Sequence, residues 1–380
     1  MGTVGNASVV YKSFTGNTDR NVATIKDIDS KYLPYFISTF LNSHYGKYQT
    51  ERLSTGNVQP LLNLIQVKSI LIPSLKQEFQ AQIKKIVQLA HKLQDESFNI
   101  YQQAEDLLLS ELGLNDWQPT DENIAVKSFS ASFGTSDRLD AEHYQPKFDQ
   151  LTEKIEQKVN LSKLGELLTW NQRGKQPSYF EEDQNILDGL PVVNSKHVRE
   201  GEVILVDNRY AKYQPEDKPL IIKTNDVLIN GTGVGTIGRC APYLHKQNAL
   251  PDNHVTILRT KVLDPVYLSI YINSIAGQYQ VEKYLKGSSG QTELYPKDID
   301  NFWVWEAPDK IQQRIKNKVE EAHQKREQSK QLLEIAKTGV EKAIEENEEV
   351  ATNWISQQLK NLEIKNSPPF LRGAGGDQPC

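Results

Sequence analysis

The sequence predicts an α+β fold made of two repeated units, each a mixed, strand-rich globule followed by one long helix. Three observations carry this prediction. Segments of the first 83 residues return in the same order after residue 235. Short apolar runs broken by Gly, Pro, Asn and Asp fill the chain from about residue 163 to 307. Two further stretches keep three- and four-residue apolar spacing over many turns.

The repeat begins with Gly2-Thr3-Val4-Gly5, which returns as Gly235-Thr236-Ile237-Gly238. Tyr32-Leu33 with Gly46-Lys47-Tyr48 is matched to Tyr267-Leu268 with Gly277-Gln278-Tyr279. Gln59 to Ile83 then aligns without gaps on Gln291 to Ile315, placing Val67 on Ile299 and Ile70-Leu71-Ile72 on Phe302-Trp303-Val304. Each copy therefore ends in a short apolar strand, a proline-marked turn and a helix. About 75 residues precede the first helix where the second copy has about 170, so copy one is expected to be truncated at its front.

In the first helix Phe79, Ile83, Ile86, Val87, Ala90 and Leu93 form a stripe, extended by Tyr101 and Leu108. Ile315, Val319, Ala322, Leu333, Ala336, Val340 and Ile344 do the same in the second. Each stripe is a seam for another helix. Arg326 and Ser329 interrupt the second seam, as a solvated stretch or as a polar layer that sets register. A helix of about 38 residues would be roughly 57 Å long, which suits a spacer. Gly113 and Pro119 end the first helix. Strands are expected at Pro191-Val192-Val193, Val203 to Val206, Val227-Leu228-Ile229 and Val255 to Leu258, with a helical stretch at Pro265 to Leu285.

The 380 residues are 38% hydrophobic and 24% charged, an ordinary globular composition with room for two or three domains. This excludes a disordered chain. Cys240 and Cys380 are the only cysteines, too few for a zinc site or a disulfide scaffold, so a reducing cytoplasm is the expected location. No signal peptide and no membrane span are expected, because no apolar run approaches the roughly 18–20 residues required. With 44 Lys and Arg against 49 Asp and Glu the net charge is −5, which argues against an indiscriminate polyanion binder.

Catalytic and cofactor motifs fail on inspection. Gly233-Val234-Gly235-Thr236-Ile237-Gly238 satisfies GxGxxG after a strand, but Arg239 to Tyr243 continues as a strand containing Pro242, not as the helix that a pyrophosphate needs. The glycines suit a tight turn instead. Ser367-Pro368-Pro369-Phe370 resembles the catalytic tetrapeptide of amino-group DNA methyltransferases, yet no SAM-binding domain precedes it and a Gly-rich tail follows. Asp207, Glu216 and Lys218 are spaced like a loose metal-dependent nuclease set, on a proline-bearing polar stretch that suits a surface loop. No HxxxH, HExxH, GxSxG or GxxxxGK[ST] pattern occurs. Gly287-Ser288-Ser289-Gly290-Gln291-Thr292, after Lys283 and Lys286, offers hydroxyls, an amide and backbone N–H groups of the kind that meet phosphates and base edges, or else simply joins a helix to a strand.

Several runs, in order, resemble the DNA specificity subunit of type I restriction-modification systems. Arg138 to Lys147, reading RLDAEHYQPK, is similar to that family's lead-in to a target recognition domain. Leu164-Gly165-Glu166-Leu167, Gly174-Lys175, Asp226 to Ile229 with Gly235 to Gly238, and Gly287 to Gln291 follow. Ala307-Pro308 to Gln312-Gln313-Arg314-Ile315 resembles the opening of the family's conserved helix, and Ile72-Pro73 to Gln80 stands at the same point of copy one. The resemblance implies target recognition domains that each read half of a bipartite duplex site, held apart by two spacer helices packed as an antiparallel coiled coil. It implies 1–74 as the end of a truncated first recognition domain, 75–112 as the first spacer helix and 113–137 as a linker. The second recognition domain is then 138–308, the second spacer helix 309–358, and 359–380 a disordered tail. A truncated or split reading frame, or a half-type subunit completed by a second chain, is expected from the missing front.

The implied partners are double-stranded DNA, methyltransferase subunits and a restriction motor-nuclease subunit. The chain itself is expected to be non-catalytic and free of cofactors, with SAM, Mg and ATP only on partner subunits. Expected DNA contacts are Arg173, Lys175, Lys196, Arg199, Thr232, Arg239, Ser289 and Gln291. The rival readings are a nuclease using Asp207, Glu216 and Lys218, and a coiled-coil scaffold without a DNA role.

Overall fold

The computed structural model describes residues 4–13, 15–56, 60–122, 124–180, 189–287 and 292–362. They divide into two units, Met1–Phe98 with Ala322–Cys380, and Asn99–Glu321. Mixed helix and strand content makes the fold α+β. The described helices are α1 (Pro34–Asn42), α2 (His44–Leu53), α3 (Leu64–Lys68), α4 (Gln77–Leu112), α5 (Phe133–Ser136), α6 (Pro146–Glu156), α7 (Leu164–Leu167), α8 (Pro265–Asn273), α9 (Ile275–Tyr284), α10 (Pro296–Asp300), α11 (Asp309–Glu345) and α12 (Glu348–Asn361). The described strands are β1 (Leu161–Lys163), β2 (Leu168–Arg173), β3 (Gly189–Val193), β4 (Val198–Arg199), β5 (Glu202–Val203), β6 (Tyr210–Lys212), β7 (Val227–Asn230), β8 (Cys240–Pro242), β9 (Leu250–Pro251), β10 (Val255–Thr260) and β11 (Trp303–Trp305).

In the first unit the apolar stripe of α4 does what its spacing dictates. Phe79, Ile83, Ile86, Val87, Ala90 and Leu93 are buried with Phe36 and Phe40 of α1, and with Leu332, Ala336 and Val340 of α11 and Ile355 of α12. The expected seam slips by one position at Leu333, which is exposed, while Leu332 is fully buried. Ser329 causes the shift. It is 3% exposed and donates to the Ala90 carbonyl at 2.7 Å, so it belongs to the seam and Leu332 follows three residues later. Ser97 mirrors it by donating to the Ala322 carbonyl at 2.7 Å. The helix predicted to run unbroken to 358 stops at Glu345 and restarts at Glu348. Asn347 accepts from the Val350 N–H and caps α12, with Glu348 and Glu349 at its positive end. α12 then extends to Asn361, three residues into the predicted tail; the tail from residue 363 on, including the Ser367 to Phe370 motif and Cys380, lies outside the described residues.

The second unit holds the sheets. β2, β10, β7 and β8 form a four-stranded antiparallel sheet in that order, β6-β3-β9 a mixed three-stranded one, and β1-β11 and β4-β5 two-stranded pairs. β7 is buried at every position, which explains a continuous Val-Leu-Ile-Asn run without alternation. Of the predicted strand Val203 to Val206 only Val203 lies in a strand. The predicted helical stretch is two helices, α8 and α9, broken at Ser274. Gly233 to Gly238 makes the β7–β8 turn, with Gly233, Gly235 and Gly238 all at positive φ, so the GxGxxG run opens no helix.

The two units repeat their hydrogen bonds. Asn42 accepts from the Ala7 N–H and donates to its carbonyl, at 3.1 and 2.7 Å; Asn273 does the same to Cys240, at 2.9 and 2.7 Å. Gln49 brackets the backbone of Leu71, and Gln280 that of Trp303. Gln80 accepts from Leu33 N–H as Gln312 does from Asp264 N–H. These pairs set Pro34 to Ser43 against Pro265 to Ser274, which corrects the match of Tyr32-Leu33 to Tyr267-Leu268: helices of 9 and 10 residues start at the same places in both.

Asn273→Ala strands the N–H of fully buried Cys240, whose carbonyl still accepts from the Gly201 N–H at 3.1 Å. A loss of about 1–3 kcal/mol is expected, read as an earlier urea midpoint with an unchanged slope.

Candidate nucleic-acid interface

Two glycine-shaped segments of the second unit meet at one surface: the β7–β8 turn and the segment that leaves α9 through Gly287. The latter has a closed base, since Lys286 and Glu293 exchange both backbone hydrogen bonds at 2.9 and 2.8 Å. Leu294 N–H donates to the Gly231 carbonyl at 2.9 Å, and Gly231 N–H donates to that of His254 at 2.8 Å. Gly287 has φ +105°, the left-handed region that favours glycine where the chain turns. In the first unit Thr55 and Leu61 exchange the same two bonds around Gly56, at φ +98°.

Arg173 binds this base together. Its guanidinium meets the Glu293 carboxylate at 3.1 Å, donates to the Leu294 and Gly231 carbonyls, and lies 5.1 Å from the Tyr295 ring centre. A Cβ on Gly231 would come within 2.4 Å of it, so glycine is required there to admit the guanidinium. Tyr295 first, then Arg173, hold the Glu293 carboxyl below the usual range. Lys286 pairs with buried Asp298 at 2.7 Å. Thr232 shares a 2.6 Å hydrogen bond with Nδ1 of exposed His254 at the rim.

The other expected contact residues lie in three settings. Lys175 is paired with buried Asp217 at 2.7 Å. Lys196 is exposed and donates to the Asp207 carbonyl at 3.2 Å. Arg199, exposed on β4, and half-buried Arg239, after the glycine turn, have no described side-chain hydrogen bond or ion pair. Ser289 and Gln291 lie outside the described residues. Sequence reasoning missed His254, Glu293 and Tyr295, which have no motif of their own. It also missed Arg209, stacked 3.7 Å from the ring centre of Tyr179.

The nuclease set is dispersed in character. Asp207 is exposed at φ +54° in a bend, and Glu216 and Lys218 are exposed on a 3₁₀ turn. The buried carboxylate nearby is Asp217, which is occupied by Lys175 and by the Gln214 N–H at 2.9 Å. Among the described residues no group of three or more His, Cys, Asp or Glu is placed to hold a metal ion, and no helix is long and apolar enough to cross a membrane.

No family model matches the chain, and no curated protein does. Solved structures match it at low similarity. One is a crystal structure of the HsdS subunit from Thermoanaerobacter tengcongensis, at 16% identity over 83% of this chain and 70% of that one, TM-score 0.33. A second comes from work on complex assembly and conformational transition of the type I R-M system, at 15% identity over 82% and 71%, TM-score 0.34. A third is the S subunit of a type I restriction-modification system from M. genitalium, at 13% identity over 88% and 74%, TM-score 0.36.

His197, 2% exposed beneath this surface, accepts from the Asn194 N–H at 3.0 Å, and burial, with Lys196 and Arg199 beside it, pushes it down to about 4. The unfolded chain, with an ordinary value of about 6.5, takes up the proton first. Stability is therefore full above about 6.5 and erodes as pH falls toward 4. His197→Asn, whose Oδ1 can take the Asn194 N–H, should reduce the slope of that stretch of a plot of melting temperature against pH, with His91 and His143, also pushed down by burial, keeping the remainder.

Proposed function

We propose that the chain is the non-catalytic DNA specificity subunit of a type I restriction-modification complex, one that directs methyltransferase and motor-nuclease subunits to a target sequence. The observation that carries this reading is a loop base built twice, once around Gly56 and once around Gly287, each hung on the same helix pair. A protein that reads a bipartite site needs one adaptable loop per half, on rigid footings. The repeated hydrogen bonds support two copies of one unit. The reciprocal Ser97–Ala322 and Ser329–Ala90 bonds support α4 and α11 as an antiparallel spacer pair.

In this reading the bases are met by the loop bearing Ser289 and Gln291, by Thr232 with His254, and by Arg239. Lys196 and Arg199 serve the phosphates, Arg173 holds the loop base from within, and exposed Lys175 is tied to Asp217. SAM, Mg and ATP belong to the partner subunits. Within Arg138 to Lys147 several motif residues tie the segment to α9 and its exit: Arg138 pairs with Asp140 and donates to the Leu285 carbonyl, and His143 bonds that of Lys283 at 2.7 Å.

Binding-site selection from a randomised duplex library, with the chain alone and with its methyltransferase subunit, tests the proposal. One enriched motif is expected at least, and no enrichment in either preparation would sink it. Arg239→Ala should relax preference at one position at a cost of about 1–3 kcal/mol. Arg199→Ala should weaken all sequences equally and lower the salt slope by about one.

A further inference from the structure

In the second unit an arginine outside the loop base is held by its face. β6 pairs with β3 on one side and with residues 178–180 on the other. Phe180 N–H donates to the Tyr210 carbonyl at 3.1 Å and Lys212 N–H to that of Ser178 at 2.9 Å, which sets Tyr179 opposite Ala211. Arg209, the residue before β6, shares the face of Ala211 by alternation and so stands diagonal to Tyr179. Ala211 is fully buried with Val192 and Leu250, and its small side chain leaves room for the Tyr179 ring to pack on that cluster. The Arg209 guanidinium lies over the ring, 3.7 Å from its centre.

The backbone beneath this stack is fixed as well. Val192 N–H donates to the Arg209 carbonyl at 2.8 Å, and the Asn208 amide donates to the Val192 carbonyl at 2.8 Å. Asp252 joins the stack to the rim of the candidate interface. Its carboxylate accepts from the His254 N–H at 2.9 Å and, after burial, is the next cause that pushes the Tyr179 phenol up. His254 in turn shares its ring hydrogen bond with Thr232.

Arg209 is exposed and has no described side-chain hydrogen bond or ion pair. Stacking uses the flat face of a guanidinium and leaves the in-plane N–H groups for other partners. A phosphate contact needs charge and little direction, which a mobile side chain supplies. A guanidinium whose plane is already set suits two acceptors lying in one plane, and its preorganisation lowers the entropy cost of the contact. Among the bases of a duplex, guanine offers that pair, O6 and N7, in the major groove; adenine sets an N6–H donor beside its N7 and is refused.

We propose that Arg209, held flat on Tyr179, is a specificity-determining residue that reads one guanine of the target sequence, with Tyr179 as its positioning residue. The inference rests on the reading of the chain as a DNA specificity subunit and adds to it the identity of one base.

The test is binding-site selection with the intact chain and its methyltransferase subunit, followed by anisotropy titration of the selected duplex. The wild-type motif is expected to contain a guanine whose preference is lost in Arg209→Ala, with preference at the other positions kept. 7-Deazaguanine at that position lacks the N7 acceptor; it should weaken wild-type binding about tenfold and leave Arg209→Ala binding unchanged. Tyr179→Phe keeps the ring and should retain the preference, while Tyr179→Leu should lower it at that position alone. If Arg209→Ala selects the wild-type motif unchanged, the proposal is overturned and sequence reading stands. The same holds if Arg209→Ala weakens all sequences equally and lowers the salt slope by about one, the mark of a phosphate contact. A wild-type chain that enriches no motif overturns both readings.

Discussion

A side-chain amide offers one acceptor and one donor side by side, the same pair that an extended backbone residue offers along its edge. The architecture of each unit depends on that equivalence. Asn42 and Gln49 in the first unit, and Asn273 and Gln280 in the second, each bracket both polar groups of one backbone residue from a helix. Unpaired buried N–H and C=O groups cost about 1–3 kcal/mol apiece, so in the second unit these brackets let β8 and β11 end against a helix. Cys240 shows the economy: its backbone is closed by Asn273, while its thiol, pushed up by complete burial, takes no part.

The brackets also decide which loops are rigid at their base. α8 and α9 hold β8 through Asn273 and β11 through Gln280, and the segment leaving α9 closes on itself between Lys286 and Glu293. The footings of both glycine-shaped segments are therefore fixed by one helix pair. Arg173 then acts inside the protein as a bridge, where a planar fork with several donors can serve a carboxylate and two carbonyls at once; lysine could not reproduce it. This leaves the exterior to groups without such ties, Arg199 and Arg239 among them.

How much of this was legible in the sequence follows from the range of the interactions. The α4 stripe was readable because a helix writes its burial at a fixed local period, and β7 and β10 because continuous apolar runs bounded by turns have few other uses. The Leu332–Leu333 error had a physical cause: Ser329 looked polar and was taken out of the seam, yet its hydroxyl finds a carbonyl and it is buried. Asn273, Gln280 and Arg173 could not be assigned from sequence, since their partners lie 33, 23 and 120 residues away and no periodicity links them. The repeat was detectable by matched letters, but its register between residues 32 and 48 needed the Asn42 and Asn273 brackets. The reading of Gly233 to Gly238 as a turn and not a helix start rested on a local reason, the strand with Pro242 after it, and local reasons travel well.

The buried serines of the first unit bear on a different requirement. Ser97 reaches the Ala322 carbonyl and Ser329 that of Ala90, so each hydroxyl sits opposite an alanine that leaves it room. Neither bond adds much stability, because both carbonyls belong to helices whose own ladder already uses them, and one neutral hydrogen bond contributes about 1 kcal/mol. Their value is in what a slipped register would suffer. Sliding one helix along the other by a heptad moves it about 10 Å; one way this sets Ser97 opposite Ile315 and Ser329 opposite Ile83, each at a cost of about 1–3 kcal/mol, and the other way it sets Ser97 opposite Ser329. A polar pair that contributes little to stability therefore still biases register, most strongly against the slide that would set both hydroxyls among isoleucines.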